Sequence, residues 1–168
     1  MSGDVIVETI TTERLELVPL EVGHAEEMAG VLGDPALHRF IGGEPESLEE
    51  LRARYVRWEA GAPEPGTTWC NWVVRELDGG RLVGTVQATV VGDRAEAAWV
   101  VGSAWQGRGY ASEAARALVG WLRDRGRTVV AHVHPEHAAS AAVARAAGLV
   151  PTGEVCDGEA RWATPPRA

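Results

Sequence analysis

The apolar and polar positions of the chain switch between a period of two and a helical period, and the switches mark its elements. Leu15 and Leu17 alternate with Glu16 and Val18, which predicts a first strand from Arg14 to Leu20. A helix is predicted from His24 to Leu32, stopped by Gly33-Asp34-Pro35, and a short segment from Ala36 to Ile41 then runs into Gly42-Gly43. Ser47-Leu48-Glu49-Glu50 is a capping box, in which the serine hydroxyl accepts from the third helical N–H and the glutamate reaches back. It opens a helix to Glu59 with Leu48, Leu51, Tyr55 and Trp58 at helical spacing.

Gly61 to Gly66, carrying Pro63 and Pro65, breaks that helix. Three extended stretches follow, Trp69–Glu76, Leu82–Val91 and Glu96–Val101. Asp78-Gly79-Gly80 and Gly92-Asp93-Arg94 separate them as hairpin turns, which predicts an antiparallel meander. From Tyr110 to Arg125 the period becomes helical, with Ala111, Ala114, Ala115, Leu118, Trp121 and Leu122 on one face. Val129–His134 reads as a strand, Ala138–Ala147 as a small-residue helix ended by Gly148, and Leu149–Glu154 and Ala160–Ala163 as closing strands. This order predicts an α/β domain with a mixed sheet.

A length of 168 residues suits a single domain, 1–168. No apolar run approaches the roughly 20 residues of a membrane span, and the first residues lack the basic segment of a secretory signal. Cys70 and Cys156 share no metal-ligand spacing and cannot build a disulfide framework. The expectation is a cytoplasmic protein that does not engage a membrane. The net charge of −8 argues against nucleic acid as a partner. Its distribution says more: the first hundred residues hold 8 arginines against 18 acids, the remainder 8 against 6. The C-terminal part therefore suits an anion and the N-terminal part a cation. All the basic residues are arginine.

Gln106-Gly107-Arg108-Gly109-Tyr110-Ala111 lies between a predicted strand and a predicted helix. A glycine-rich turn at a helix N-terminus aims several backbone N–H groups at one spot, with the helix dipole behind them. Glycine at 107 and 109 lets an anion approach the backbone, and Arg108 adds a charged donor. The Walker pattern is absent, since it requires a lysine. The dinucleotide fingerprint is absent too, because its third glycine is Ser112.

Q-x-x-G-x-A after a strand resembles the acetyl-CoA-binding motif of the GNAT superfamily of N-acetyltransferases, and the resemblance spans nearly the whole chain. TERLELVPL resembles the opening strand of the branch that includes ribosomal-protein-alanine N-acetyltransferases, and LVGTVQ (Leu82–Gln87) its third strand. AEAAWVVGSAWQGRGYASEAARALVGW is similar to its strand–turn–helix core. AHVHPEHAASAAVARAAGLVPTGE resembles the segment that follows, with Gly148-Leu149 where the family usually has Gly-Phe.

The resemblance implies a mixed, mostly antiparallel sheet of about seven strands, splayed between the fourth and fifth and flanked by about four helices. Pantetheine would lie in the splay, its amides paired with the backbone of Val100 and Val101. Gln106, Gly107, Arg108, Gly109, Tyr110, Ala111 and Ser112 would hold the pyrophosphate. The family's asparagine after the fifth strand falls on His137, which can still donate to the cofactor. Ser140 would cap the helix it begins or donate to the departing thiolate; the position of the family's tyrosine acid holds Ala144. Glu96 falls where family members carry a base, needed because a protonated amine has no lone pair to attack a thioester. The other reading of Glu96 is a solvated hairpin residue facing outward. A backbone N–H, that of Val101, would hold the oxyanion.

The implied activity is transfer of an acetyl group from acetyl-CoA to a primary amine, on a small molecule or a protein N-terminus, by direct attack on the thioester. A catalytically silent acyl-CoA-binding module on the same fold is the alternative. His38–Gly43, the Pro63–Thr68 loop and Cys156–Trp162 would form the acceptor site, and a homodimer is a family-level expectation. Trp69, Trp72 and Trp99 serve as core or as pocket walls. His132-Val133-His134-Pro135-Glu136-His137 approaches the motif of dinuclear zinc hydrolases, but no further histidine follows, and Asp157 is the only aspartate that does; no metal is expected.

Overall fold

The alternating stretches pair into one sheet in the computed structural model, which describes residues 5–38 and 43–165. Its strands are β1 (Ile10–Thr11), β2 (Leu15–Pro19), β3 (Thr67–Glu76), β4 (Leu82–Val91), β5 (Arg94–Val101), β6 (Thr128–Val133), β7 (Val150–Cys156) and β8 (Glu159–Ala163). They lie in the order β1-β2-β3-β4-β5-β6-β8-β7. All neighbours are antiparallel except β5 and β6. Among the described residues the α-helices are α1 (Ala25–Val31), α2 (Leu48–Ala60), α3 (Tyr110–Asp124) and α4 (Ala138–Ala146).

The seven predicted strands all form, and one short edge strand joins them. The added strand, β1, has two residues and is too short to show a period; it pairs Ile10 with Leu17 at the sheet edge. The fourth and fifth predicted strands are thus β5 and β6. The capping box forms as read, with Ser47 Oγ accepting from Glu50 N and Glu50 Oε1 accepting from Ser47 N, both at 3.1 Å.

Helices α3 and α4 cover one face of the sheet, burying Leu118, Leu122 and Val143 against Leu15, Trp72, Ala95, Ala97 and Ala131. Small side chains at Ala114, Ala115 and Ala144 let these helices sit close. On the other face α1 and α2 bury Met28, Leu51 and Tyr55 against Leu20, Val73 and Leu82. That second cluster includes no residue of β5 to β8, so among the described residues no helix builds a core over the far half of this face.

The parallel pair β5–β6 is short, its rungs being Arg94↔Thr128, Ala95↔Val129 and Glu96↔Val130. Past Glu96, β5 stays on β4 as far as Val101↔Gly84, while β6 stays on β8 as far as Val133↔Ala160. The strands therefore part into a wedge. Two bonds fix which way the backbone of β5 points: Gly102 N donates to Val83 O and Thr128 N to Asp93 O, each at 2.8 Å. Even-numbered residues of β5 thus bond to β4, and odd-numbered ones face β6. Trp99 and Val101 turn their backbone groups into the wedge.

Gly84 is needed where β4 meets β5, because a Cβ there would lie 2.1 Å from Val100 O. We expect Gly84→Ala to lower the unfolding free energy by about 3 kcal/mol, since main chain must move to admit the methyl. Urea unfolding of the two proteins checks this.

Candidate active site

Gly107 and Gly109 both take φ +80, and Gly109 is the left-handed N-cap of α3. The backbone N–H groups from Gly107 to Ser112 have no acceptor among the described residues. They converge at the start of a 15-residue helix whose dipole adds partial positive charge. The sequence therefore builds an anion cradle out of main chain alone.

The turn is braced from the opposite end of the chain. Arg14 Nη1 donates to Arg108 O at 2.8 Å, and Arg14 Nε donates to Glu113 Oε1 at 2.7 Å. Thr12 Oγ1 and Arg14 N both donate to Glu113 Oε2. Burial pushes the Glu113 carboxyl up, but these hydrogen bonds outweigh it and hold the group below its ordinary range. Tyr110 packs under Arg14, 4.9 Å from its ring centroid, and donates from its hydroxyl to Glu76 Oε2 at 2.6 Å. That acceptor bond holds the tyrosine proton on and raises its pKa.

The cradle opens into a cavity of about 470 Å³ that runs into the wedge. Gln106, Gly107, Gly109, Tyr110, Ala111 and Ser112 line it from the turn. Val100 and Val101 line it from β5, and His137 and Ser140 from α4. Leu37, which follows α1, lines it as well, so both layers of the fold contribute. Arg108 does not: it is exposed, and its carbonyl is the Arg14 acceptor. Only its backbone N–H belongs to the cradle.

Two expectations change in detail. Val100 presents its side chain to the cavity, but its backbone bonds toward β4; the free edge belongs to Trp99 and Val101. Gln106 Nε2 already donates to Val101 O at 3.0 Å. Ser140 does not cap α4, because the N-cap is His137 and Ser140 is the third helical residue. Its hydroxyl oxygen instead accepts from Trp99 Nε1 at 3.1 Å, leaving its own proton free to donate into the cavity. Of the tryptophans that the sequence leaves between core and pocket wall, Trp99 is a pocket wall and a donor, whereas Trp72 is core. Trp105 also lines the cavity and gave no signal beyond its aromatic character.

Glu96 lies outside the cavity lining, on the uncovered face of the sheet at the closed end of the wedge. Its side chain is 54% exposed and pairs with His132 Nδ1 at 2.6 Å. Register places Thr89 beside it on β4 and Trp69 beyond on β3; Arg161 of β8 stands opposite His132. Of the proposed acceptor segments, residues 39–42 lie outside the described residues. The Pro63–Thr68 loop enters β3 next to Trp69, and Cys156–Trp162 forms the β7–β8 turn and most of β8, the strand between β6 and β7.

The family model for the acetyltransferase (GNAT) domain matches residues 14–150. The chain belongs to the GNAT acetyltransferases. Solved structures carry the fold. A GNAT-family acetyltransferase from Bacillus anthracis superposes with TM-score 0.77 at 22% identity, covering 93% of this chain and 97% of that one. The ribosomal L7/L12 α-N-protein acetyltransferase RimL, solved in complex with coenzyme A, gives 0.73 at 20% identity over 93% and 97%. A spermidine N-acetyltransferase from Vibrio cholerae, solved with CoA and spermine, gives 0.73 at 18% identity over 90% and 94%. No curated protein sequence matches the chain significantly. The family makes this chain an acyltransferase on a mixed sheet parted between two strands. No helix among its described residues is long and apolar enough to cross a membrane.

In this acetyltransferase, burial lowers the pKa of His137, with nearby His134 adding to the effect. The unfolded chain would take up a proton that the folded one resists. Stability from this group is thus complete above about pH 6.5 and declines as pH falls below it. Urea midpoints should fall from pH 6.5 to pH 5, and His137→Gln should flatten part of that fall.

Proposed function

We propose that the protein transfers an acetyl group from acetyl-CoA to a primary amine, and that the cradle at Gly107–Ser112 holds the cofactor's pyrophosphate. The observation that carries this reading is the run of unpaired N–H groups opening directly into the wedge. Anions bind such cradles through several short main-chain bonds at once. The fit extends along the wedge. Backbone groups of Trp99 and Val101 need partners there, and an extended amide chain supplies them by adding as a strand. The 8 arginines against 6 acids of residues 101–168 favour a polyanionic ligand.

When bound, the cofactor supplies a thioester, an acyl group already activated toward nitrogen. The protein's residues supply position and proton traffic. The Val101 N–H faces the wedge and would hold the carbonyl oxygen. The Ser140 hydroxyl, oriented by Trp99, would donate to the leaving sulfur. Glu96 stands where the wedge closes and would serve the removal of the amine's proton. The acceptor would approach over the uncovered face, and the acidic balance of the first hundred residues favours a cationic amine for the protein as a whole. Both a protein N-terminus and a small amine meet that description.

Thermal unfolding with and without acetyl-CoA, with NAD and ATP as controls, tests the cofactor. A ligand at about 100 times its Kd adds roughly 2.7 kcal/mol, so Tm should rise by about 5–10 °C. No shift at millimolar acetyl-CoA would refute the reading. Free-thiol release over an amine panel then separates an enzyme from an acyl-CoA-binding module. Ser140→Ala should keep the thermal shift and lower kcat about 100-fold.

A further inference from the structure

Glu96 does not stand alone on the uncovered face. Its Oε1 lies 2.6 Å from Nδ1 of His132, and the two side chains are 54% and 20% exposed. Glu96 sits on the last shared rung of β5 and β6, and His132 two residues past the Val130 end of that rung. The pair therefore spans the closed end of the wedge. An extended chain entering from the Gly107–Ser112 cradle along Val101 and Trp99 runs toward this place.

A carboxylate only accepts hydrogen bonds, so it fixes the ring proton on Nδ1. The other nitrogen of a neutral ring then carries the lone pair. His132 Nε2 has no partner among the described residues and is not a buried orphan, so it stays open to an incoming group.

We propose that His132 Nε2 is the atom that takes the proton from the acceptor amine, and that Glu96 is the positioning residue that fixes the tautomer and stabilises the imidazolium. The inference rests on the acetyltransferase reading. An ammonium N–H bond breaks and its proton goes to Nε2, later to solvent. The freed nitrogen lone pair forms the C–N bond at the thioester carbonyl carbon. The C–S bond breaks with its electron pair on sulfur, and the second amine proton ends on that sulfur, by way of the Ser140 hydroxyl or water. Among the described residues, register places Arg94 two residues before Glu96, and Arg161 opposite His132 with Glu159 two residues from it; Arg161 is paired with Glu154 at 3.3 Å. Thr89 on β4 is the uncharged neighbour of Glu96.

The test is kcat against pH for the wild type, Glu96→Gln, His132→Gln and the double variant, each first checked for an acetyl-CoA thermal shift. His132→Gln should lose about 100-fold in kcat at pH 7. That loss should shrink as pH rises toward the acceptor's own pKa, where free amine needs no base. Glu96→Gln should lose less, about tenfold, and the double variant should be no worse than His132→Gln. Nitrogen-15 NMR of the ligand-free protein supplies a readout apart from activity. The neutral His132 ring should carry its proton on Nδ1 in the wild type and on Nε2 in Glu96→Ala. A wild-type ring protonated on Nε2 overturns the proposal. So does a His132→Gln enzyme with unchanged kcat and pH profile beside an inactive Glu96→Gln, which would make the carboxylate the base. Absence of any acetyl-CoA shift in the wild type would overturn the acetyltransferase reading and this proposal together.

Discussion

Everything at the site depends on β5 and β6 parting after Glu96↔Val130. Two parallel strands that stayed paired would satisfy each other's backbone and leave nothing to bind. Here each strand is held on its outer side, β5 by β4 and β6 by β8, so the wedge cannot close by simple zipping. Main-chain groups that face into it must find other partners. Gln106 answers for the carbonyl of Val101. The remainder is a ready edge for strand addition, with the anion cradle at its open end and the Glu96–His132 pair at its closed end.

The same parting gives the site two sides of different character. On the helical side, main-chain N–H groups and a helix dipole set up positive potential without using a lysine. On the uncovered side, Glu96 and His132 meet solvent beside Thr89 and Arg161. On the proposed reading, donor and acceptor would enter from different directions and meet within the wedge. Trp99 links the two: its backbone belongs to the wedge and its indole orients Ser140 of α4.

Much of this was legible in the sequence because it is local. The meander turns, the capping box at Ser47 and the Gly107–Gly109 turn each fall within a few residues, where side-chain chemistry dictates backbone shape. What was not legible is long-range or a matter of phase. Alternation tells which side chains share a face, but not which edge of β5 carries free backbone groups; that depends on Gly102 bonding to Val83 and gave Trp99 the place expected of Val100. Ser140 is no cap because the helix begins at Ala138, as its small-residue run predicts, which puts the cap at His137. The Glu96–His132 pair spans 36 positions and exists only through the parallel register of β5 and β6. His132 could have been found from its place in the His132–His137 run, but there the spacing suggested a metal.

The brace on the cradle crosses the molecule: Arg14 reaches Arg108 across 94 positions and Glu113 across 99. Such a contact closes only when β2 has joined the sheet and α3 has packed upon it. The shape of the cradle therefore depends on a contact whose loop-closure entropy spans most of the chain. A nascent or partly unfolded chain would carry the glycine turn without its bound shape. Cofactor occupancy would then report the integrity of the whole sheet, and a saturating ligand would act on the folding of both ends of the protein at once.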